Sequence, residues 1–204
     1  MVLLHSPLEE PDALRGVRDA LRGLGAHADL AEITDDDGPP YAARYIARAA
    51  LEIRRHAPPA PVVLAAHGEA GPLLPQIGAA QRAAHRPVGG YLFVDALLPQ
   101  PGSRTRAELR TTQLGTEAPV PQAPGPARER PAAFATEPLP MVADWPDAPC
   151  GYLLTADGPA AGARLAELRG WPVLDRSGAE PQGAAGGAEP EAVAADLLEL
   201  LRTL

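Results

Sequence analysis

Six short apolar runs, separated by segments of helical spacing, constrain the fold of this chain more than any other feature. They lie at 1–4, 28–33, 62–65, 88–94, 150–155 and 171–174. All but 28–33, which carries Asp29 and Glu32, are nearly continuous in apolar residues, the pattern of strands covered on both faces. Between the first two runs, Leu14, Val17, Leu21 and Leu24 recur at helical spacing, with Asp12 placed to cap the helix and Gly25 to close it. Residues 41–56, 69–84, 158–169 and the stretch opened by Pro190 repeat that signal. Strands buried on both faces that alternate with helices predict an α/β fold, a mostly parallel sheet flanked by crossover helices. The 204 residues suffice for one such domain, 1–204.

The pattern fails between 99 and 143. Prolines recur at 101, 119, 121, 124, 126, 131, 138 and 140, and only 104–114 reads as a short helix. This is a Pro-rich excursion or a reduced cap within the domain. A net charge of −8 argues against nucleic-acid binding, which needs a basic face for phosphates, and disfavours an anionic membrane surface. All eighteen positive residues are arginine, and asparagine is absent, a bias expected of a GC-rich genome. Cys150 stands alone, so no internal disulfide or thiolate metal cluster is possible; it reads as a small buried residue. The first residues form no secretion signal, and no segment reaches membrane-spanning length, so the expected location is the cytoplasm.

The run VVLAAHGEAGPLLP, 62–75, is a strand, a small-residue turn and a helix start, with Gly68 at the tip. Together with VLLHSPL at the N-terminus, GYLFVDALLP at 90–99, DWPDAPCGYLLT, GWPV and EPEAVAADLLELL, it resembles the α/β-hydrolase superfamily. It is similar to small hydrolase-like proteins of GC-rich actinobacteria. The resemblance implies that 62–75 is the nucleophile elbow and that the loop after the first strand supplies part of an oxyanion hole. It also implies that the elbow serine corresponds to Gly68. The catalytic histidine of such proteins falls near Gly183, in a loop that holds none, and no histidine follows His85. On this reading, Ser–His ester hydrolysis is excluded, because nothing takes the nucleophile's proton.

What the resemblance leaves is an acid and a cradle. Asp95 ends the fourth run at the acid position, and Asp157 matches the alternative one. Glu69 offers a backbone N–H to the oxyanion hole and a carboxylate for acid–base work. His5 lies on the loop facing the expected pocket. Glu69, Asp95 and His5 are therefore the candidate catalytic residues, with Gly68, Leu8, Ser6 and His67 lining the substrate side. Leu8 is the better second oxyanion donor because Pro7 has no N–H. Against these readings stand plain structural roles: a helix or loop cap for Asp95, a solvated first-turn carboxylate for Glu69, and loop bracing for His5. His67 is expected to tuck behind the elbow, and Tyr41 and Tyr45 to pack.

His27, His56 and His85 are read as surface residues, and Asp35, Asp36 and Asp37 as a solvated loop. No metal and no cofactor are expected. Two functions lead, ahead of a third, hydrolysis through water activated directly by Asp95 or Glu69. One is a non-hydrolytic enzyme of natural-product tailoring, a cyclase, lyase or isomerase acting on a polyketide- or peptide-derived small molecule. The retained Asp95 and Glu69 favour it. The other is an inactive pseudo-hydrolase that binds a ligand or a partner. A homodimer is compatible with either.

Overall fold

The apolar runs assemble into one sheet of six parallel strands: β1 (Val2–Leu4), β2 (Asp29–Ala31), β3 (Val62–His67), β4 (Val88–Val94), β5 (Cys150–Leu154) and β6 (Val173–Asp175). Their order across the sheet is β2-β1-β3-β4-β5-β6. The structure, a computed structural model, describes residues 1–34, 37–102, 104–114, 131–140, 144–155, 160–178 and 189–204. Successive side chains point to opposite faces, as a pleated strand requires. On one face Val2 and Leu4, Leu64 and Ala66, Tyr91 and Phe93, and Tyr152 and Leu154 share a core with helices α2 (Tyr41–His56), α3 (Leu74–Ala83) and α6 (Ala160–Leu168). On the other, Leu3, Ala65, Leu92 and Leu153 pack with α1 (Asp12–Gly23) and α7 (Pro190–Leu201). Both faces being covered is why the strands read as unbroken apolar runs.

The chain passes from β1 outward to β2, then returns to place β3 on the other side of β1. That reversal makes the carboxyl ends of β1 and β3 the topological switch point of the sheet, the place where sheets of this type bind their ligands. The loops that meet there are 5–11 and the turn after β3.

Several sequence expectations shift by one or two residues. Asp12 does not cap α1: Pro11 is the N-cap residue, with no side-chain cap bond, and Asp12 opens the first turn paired to Arg15. β3 runs to His67 rather than stopping at Ala65. A 3₁₀ turn, Gly68–Leu73, intervenes before α3 begins. The excursion holds the expected helix as α4 (Arg106–Leu114) and one not anticipated, α5 (Ala132–Thr136). These two pack together, and an isolated bridge joins Thr105 to Pro138. Asp35, Asp36, Asp157 and Gly183 lie outside the described residues.

A second unanticipated element is the aromatic cluster beside β4. Phe93 stacks on Trp171 at 5.4 Å, and Trp145 meets both edge-on, at 6.0 and 5.6 Å. Cys150 lies in the core beneath this cluster. Burial pushes its thiol up to about 12. Its thiolate population at pH 8 is therefore negligible in the folded protein. Ellman's reagent is expected to leave the native chain unmodified at that pH and to titrate one thiol in 6 M guanidinium. Rapid native labelling would contradict this burial.

Candidate functional site

At the tip of the turn after β3, Gly68 adopts φ +58°, a left-handed conformation that costs glycine nothing and other residues a good deal. A Cβ at Gly68 would stand 2.9 Å from Ser6 Oγ. The Ser6 hydroxyl, from the loop after β1, thus occupies the space beside the tip, and it accepts the N–H of Glu69 at 3.0 Å. Ser6 is 2 % exposed. The backbone N–H just past the tip is therefore engaged within the protein.

Glu69 is buried, and its carboxylate forms an ion pair with Arg110 of α4. One turn earlier on the same helix, Arg106 is fully buried; its guanidinium lies 4.0 Å over the Phe134 ring and donates to the Phe134 carbonyl at 3.2 Å. Phe134 in turn packs with Tyr41 and Leu8. Gln113 completes the seam, accepting the Leu98 N–H at 2.8 Å and donating to the Leu98 carbonyl at 2.7 Å. Helices α4 and α5 are thus held to the bend by a charge pair, to the segment after β4 by a bidentate amide, and to Tyr41 and Leu8 by an aromatic contact.

Asp95 follows β4 at φ +47° and is half-buried. Oδ1 accepts the Thr155 N–H at 2.9 Å, and Oδ2 accepts the Thr155 hydroxyl at 2.7 Å. Burial, with the Asp95 carboxylate nearby, pushes the Tyr152 phenol upward, and that phenol donates to the Ala96 carbonyl at 3.2 Å.

No protein-family model matches the sequence, and no curated protein does. Solved structures do resemble it. An extracellular α/β-hydrolase from a Paenibacillus species, described as sharing structural and functional homology with tobacco salicylic acid binding protein 2, superposes with a TM-score of 0.67 at 14 % identity, over 98 % of this chain and 97 % of that one. A pyrethroid hydrolase from Sphingobium faniae gives 0.62 at 16 % identity, over 98 % and 96 %. Tomato methylketone synthase I, as a mutant, gives 0.58 at 12 % identity, over 100 % and 97 %. The fold is that of the α/β-hydrolases.

The bend at Gly68, after β3, stands where an α/β-hydrolase fold has its strand-to-helix elbow, and the 5–11 loop follows β1 beside it. The structure brings His5, Ser6, Gly68 and Glu69 to this place; Asp95 stands where β4 ends, on the strand next to β3. His5 is 2 % exposed. Its Nδ1 donates to the Ser6 carbonyl at 2.9 Å, and its Nε2 accepts the Ile33 N–H at 3.0 Å. Nε2 therefore ties the loop to the segment after β2, while Nδ1 closes a bond within the loop itself. The Tyr45 hydroxyl donates to the His5 carbonyl, and the two rings meet edge-on at 6.0 Å. Leu8 turns at φ +61° and buries its side chain under the cap. His67, at the end of β3, is partly exposed; no ring hydrogen bond ties it to the backbone among the described residues.

Sequence reasoning missed Arg106, Arg110, Gln113 and Thr155. Their signal was present only as helical spacing, since Arg106, Arg110 and Gln113 recur at i, i+4 and i+7 on α4. Nothing local says that this face meets the elbow. His27 and His56 are exposed as expected, yet their Nδ1 atoms flank buried Asp29 at 3.6 and 3.8 Å, and Arg22 binds the same carboxylate at 2.9 Å.

Proposed function

We propose that this chain is a pseudo-hydrolase: an α/β-hydrolase fold that holds a ligand or a protein partner without turning it over. One observation carries the proposal. The Glu69 N–H, the elbow's oxyanion donor, is occupied by Ser6 Oγ at a bend whose tip is glycine. A tetrahedral oxyanion needs that donor free, and acyl transfer needs a nucleophile and a base beside it. The remaining candidates support the same reading. The Glu69 carboxylate is held by Arg110, both Asp95 oxygens by Thr155, and both His5 nitrogens by backbone groups. The sequence after His85 offers no imidazole in their place.

One feature favours the non-hydrolytic enzyme of natural-product tailoring as the second reading. Asp95 keeps a left-handed, half-buried backbone position at the carboxyl edge of the sheet, and strain of this kind gathers at functional sites. For such an enzyme, Asp95→Asn would slow a cyclisation, elimination or isomerisation by at least about tenfold.

The test of the pseudo-hydrolase reading is p-nitrophenyl butyrate turnover and fluorophosphonate labelling. The parent, Ser6→Ala and the double variant Gly68→Ser/Ser6→Ala, which makes room for the new side chain, should all match buffer and remain unlabelled. Turnover of the parent that is lost in Ser6→Ala would overturn the proposal. Clear turnover by the double variant would show that a base stands within reach.

A further inference from the structure

A cleft of about 300 Å³ opens to solvent between the start of α2 and α5. Pro39, Pro40 and Tyr41 form one wall, and Ala133, Thr136 and Glu137 the other. Tyr41 is buried, edge-on to Phe134 and packed with Leu8 of the loop after β1. The cleft thus shares Tyr41 with the loop that meets the elbow.

The chemistry of these walls narrows the occupant. Proline has no N–H, so Pro39 and Pro40 offer no backbone donor. The Tyr41 N–H donates to Glu137 Oε2 at 2.8 Å, and the Ala42 N–H reaches Oε1 and Oε2 at 3.4 Å. The Thr136 hydroxyl donates to the Ala132 carbonyl at 3.2 Å, which leaves its oxygen as an acceptor. What these groups present to a ligand is acceptor: the Thr136 oxygen and the Glu137 carboxylate, whose Oε1 receives only the longer bond. Nor is the charge of that carboxylate cancelled. Among the described residues no arginine or histidine forms an ion pair with Glu137. The start of a helix supplies about half a unit of positive charge, so about half of the carboxylate's charge stays uncompensated.

We infer that this cleft binds a small organic ammonium ion, its N–H groups on Glu137 and Thr136 and its apolar frame against the prolines and Tyr41. An ammonium brings donors and no acceptor, the complement of such walls. Charge-assisted bonds to a carboxylate are also about twice as strong as neutral ones. An anionic ligand would set acceptor against acceptor. The inference rests on the pseudo-hydrolase reading and names the class of ligand such a protein holds; ester rates test that reading, and the titration below tests this one.

The probe is phenethylammonium, titrated into the full chain and followed by the protein's amide NMR shifts. Phenethyl alcohol and phenylacetate share its frame and serve as neutral and anionic counterparts. The parent should bind the ammonium at least about tenfold more tightly than the alcohol, and phenylacetate should not compete. Glu137→Gln keeps a carbonyl oxygen for the Tyr41 N–H but removes the charge. It should weaken ammonium binding at least about tenfold and change alcohol binding by less than about twofold. Glu191→Gln, at an exposed acid on α7, should leave both affinities within about twofold. Ala133→Phe, which fills the cleft, should weaken both.

No saturable shift in the parent, or equal affinity for ammonium and alcohol, would overturn the inference. Equal loss in Glu137→Gln and Glu191→Gln would overturn it too, by reducing the effect to net charge. So would shifts centred away from the walls of the cleft. Circular dichroism and melting keep an unfolded variant from being read as lost binding, and the comparison of the three compounds on the parent needs no variant.

Discussion

Replacing Gly71 with alanine is expected to destabilise the protein by about 3 kcal/mol, lowering Tm by roughly 6–12 °C for a domain of this size. Gly71 lies in the 3₁₀ turn at the elbow. A Cβ there would stand 2.1 Å from the Leu97 carbonyl oxygen and 3.1 Å from Ala96 Cβ. Backbone cannot swing aside as the end of a side chain can. The Leu97 N–H is also bonded to the Gly68 carbonyl at 3.1 Å, so the two segments are clamped where they touch. Gly23→Ala is the control: it lies in α1, with nothing within 4 Å of the added atom, and should be neutral or stabilising by about 0.5–1 kcal/mol. Urea melts of both variants settle the matter. A Gly71→Ala midpoint equal to the parent's would show that the elbow is not pressed against the β4 exit.

The second large effect belongs to the charge pair beneath the cap. Arg110→Ala removes the guanidinium facing Glu69, whose side chain is 6 % exposed, and leaves that carboxylate buried without it. Breaking a buried pair from one side costs about 3 kcal/mol or more, while removing both charges costs much less. The double variant Arg110→Ala/Glu69→Gln should therefore regain more than half of the loss, a coupling that a double-mutant cycle reads directly. Additive losses would mean that the pair contributes nothing of its own. Activity has no part in this measurement, so it probes how the cap is held whatever the chain binds.

The pair also shows where the sequence stops being informative. Glu69 is legible as a residue one step past the elbow tip, and the resemblance made it a candidate base. Its partner lies 41 positions away, on the one short helix predicted within the Pro-rich stretch, and nothing local says what that helix meets. Asp95 was legible as the acid ending β4, but Thr155, which takes both its oxygens, marks only the end of another strand. His5 read as a pocket residue because its loop points there. Two backbone groups, one of them Ile33, turn its ring into a brace.

The sequence alone determined the sheet. Unbroken apolar runs alternating with helical spacing admit few folds other than a parallel sheet covered on both sides, because every strand residue must leave water. It also determined that the bend at 68 carries no side chain and that no imidazole follows position 85. The tertiary structure decided what the remaining polar groups do. A carboxylate or imidazole has the same local spelling whether it meets a substrate or a neighbouring strand. Which it meets depends on contacts between segments far apart in the chain, fixed only when α4 settles on the elbow and the loop after β1 closes beside it.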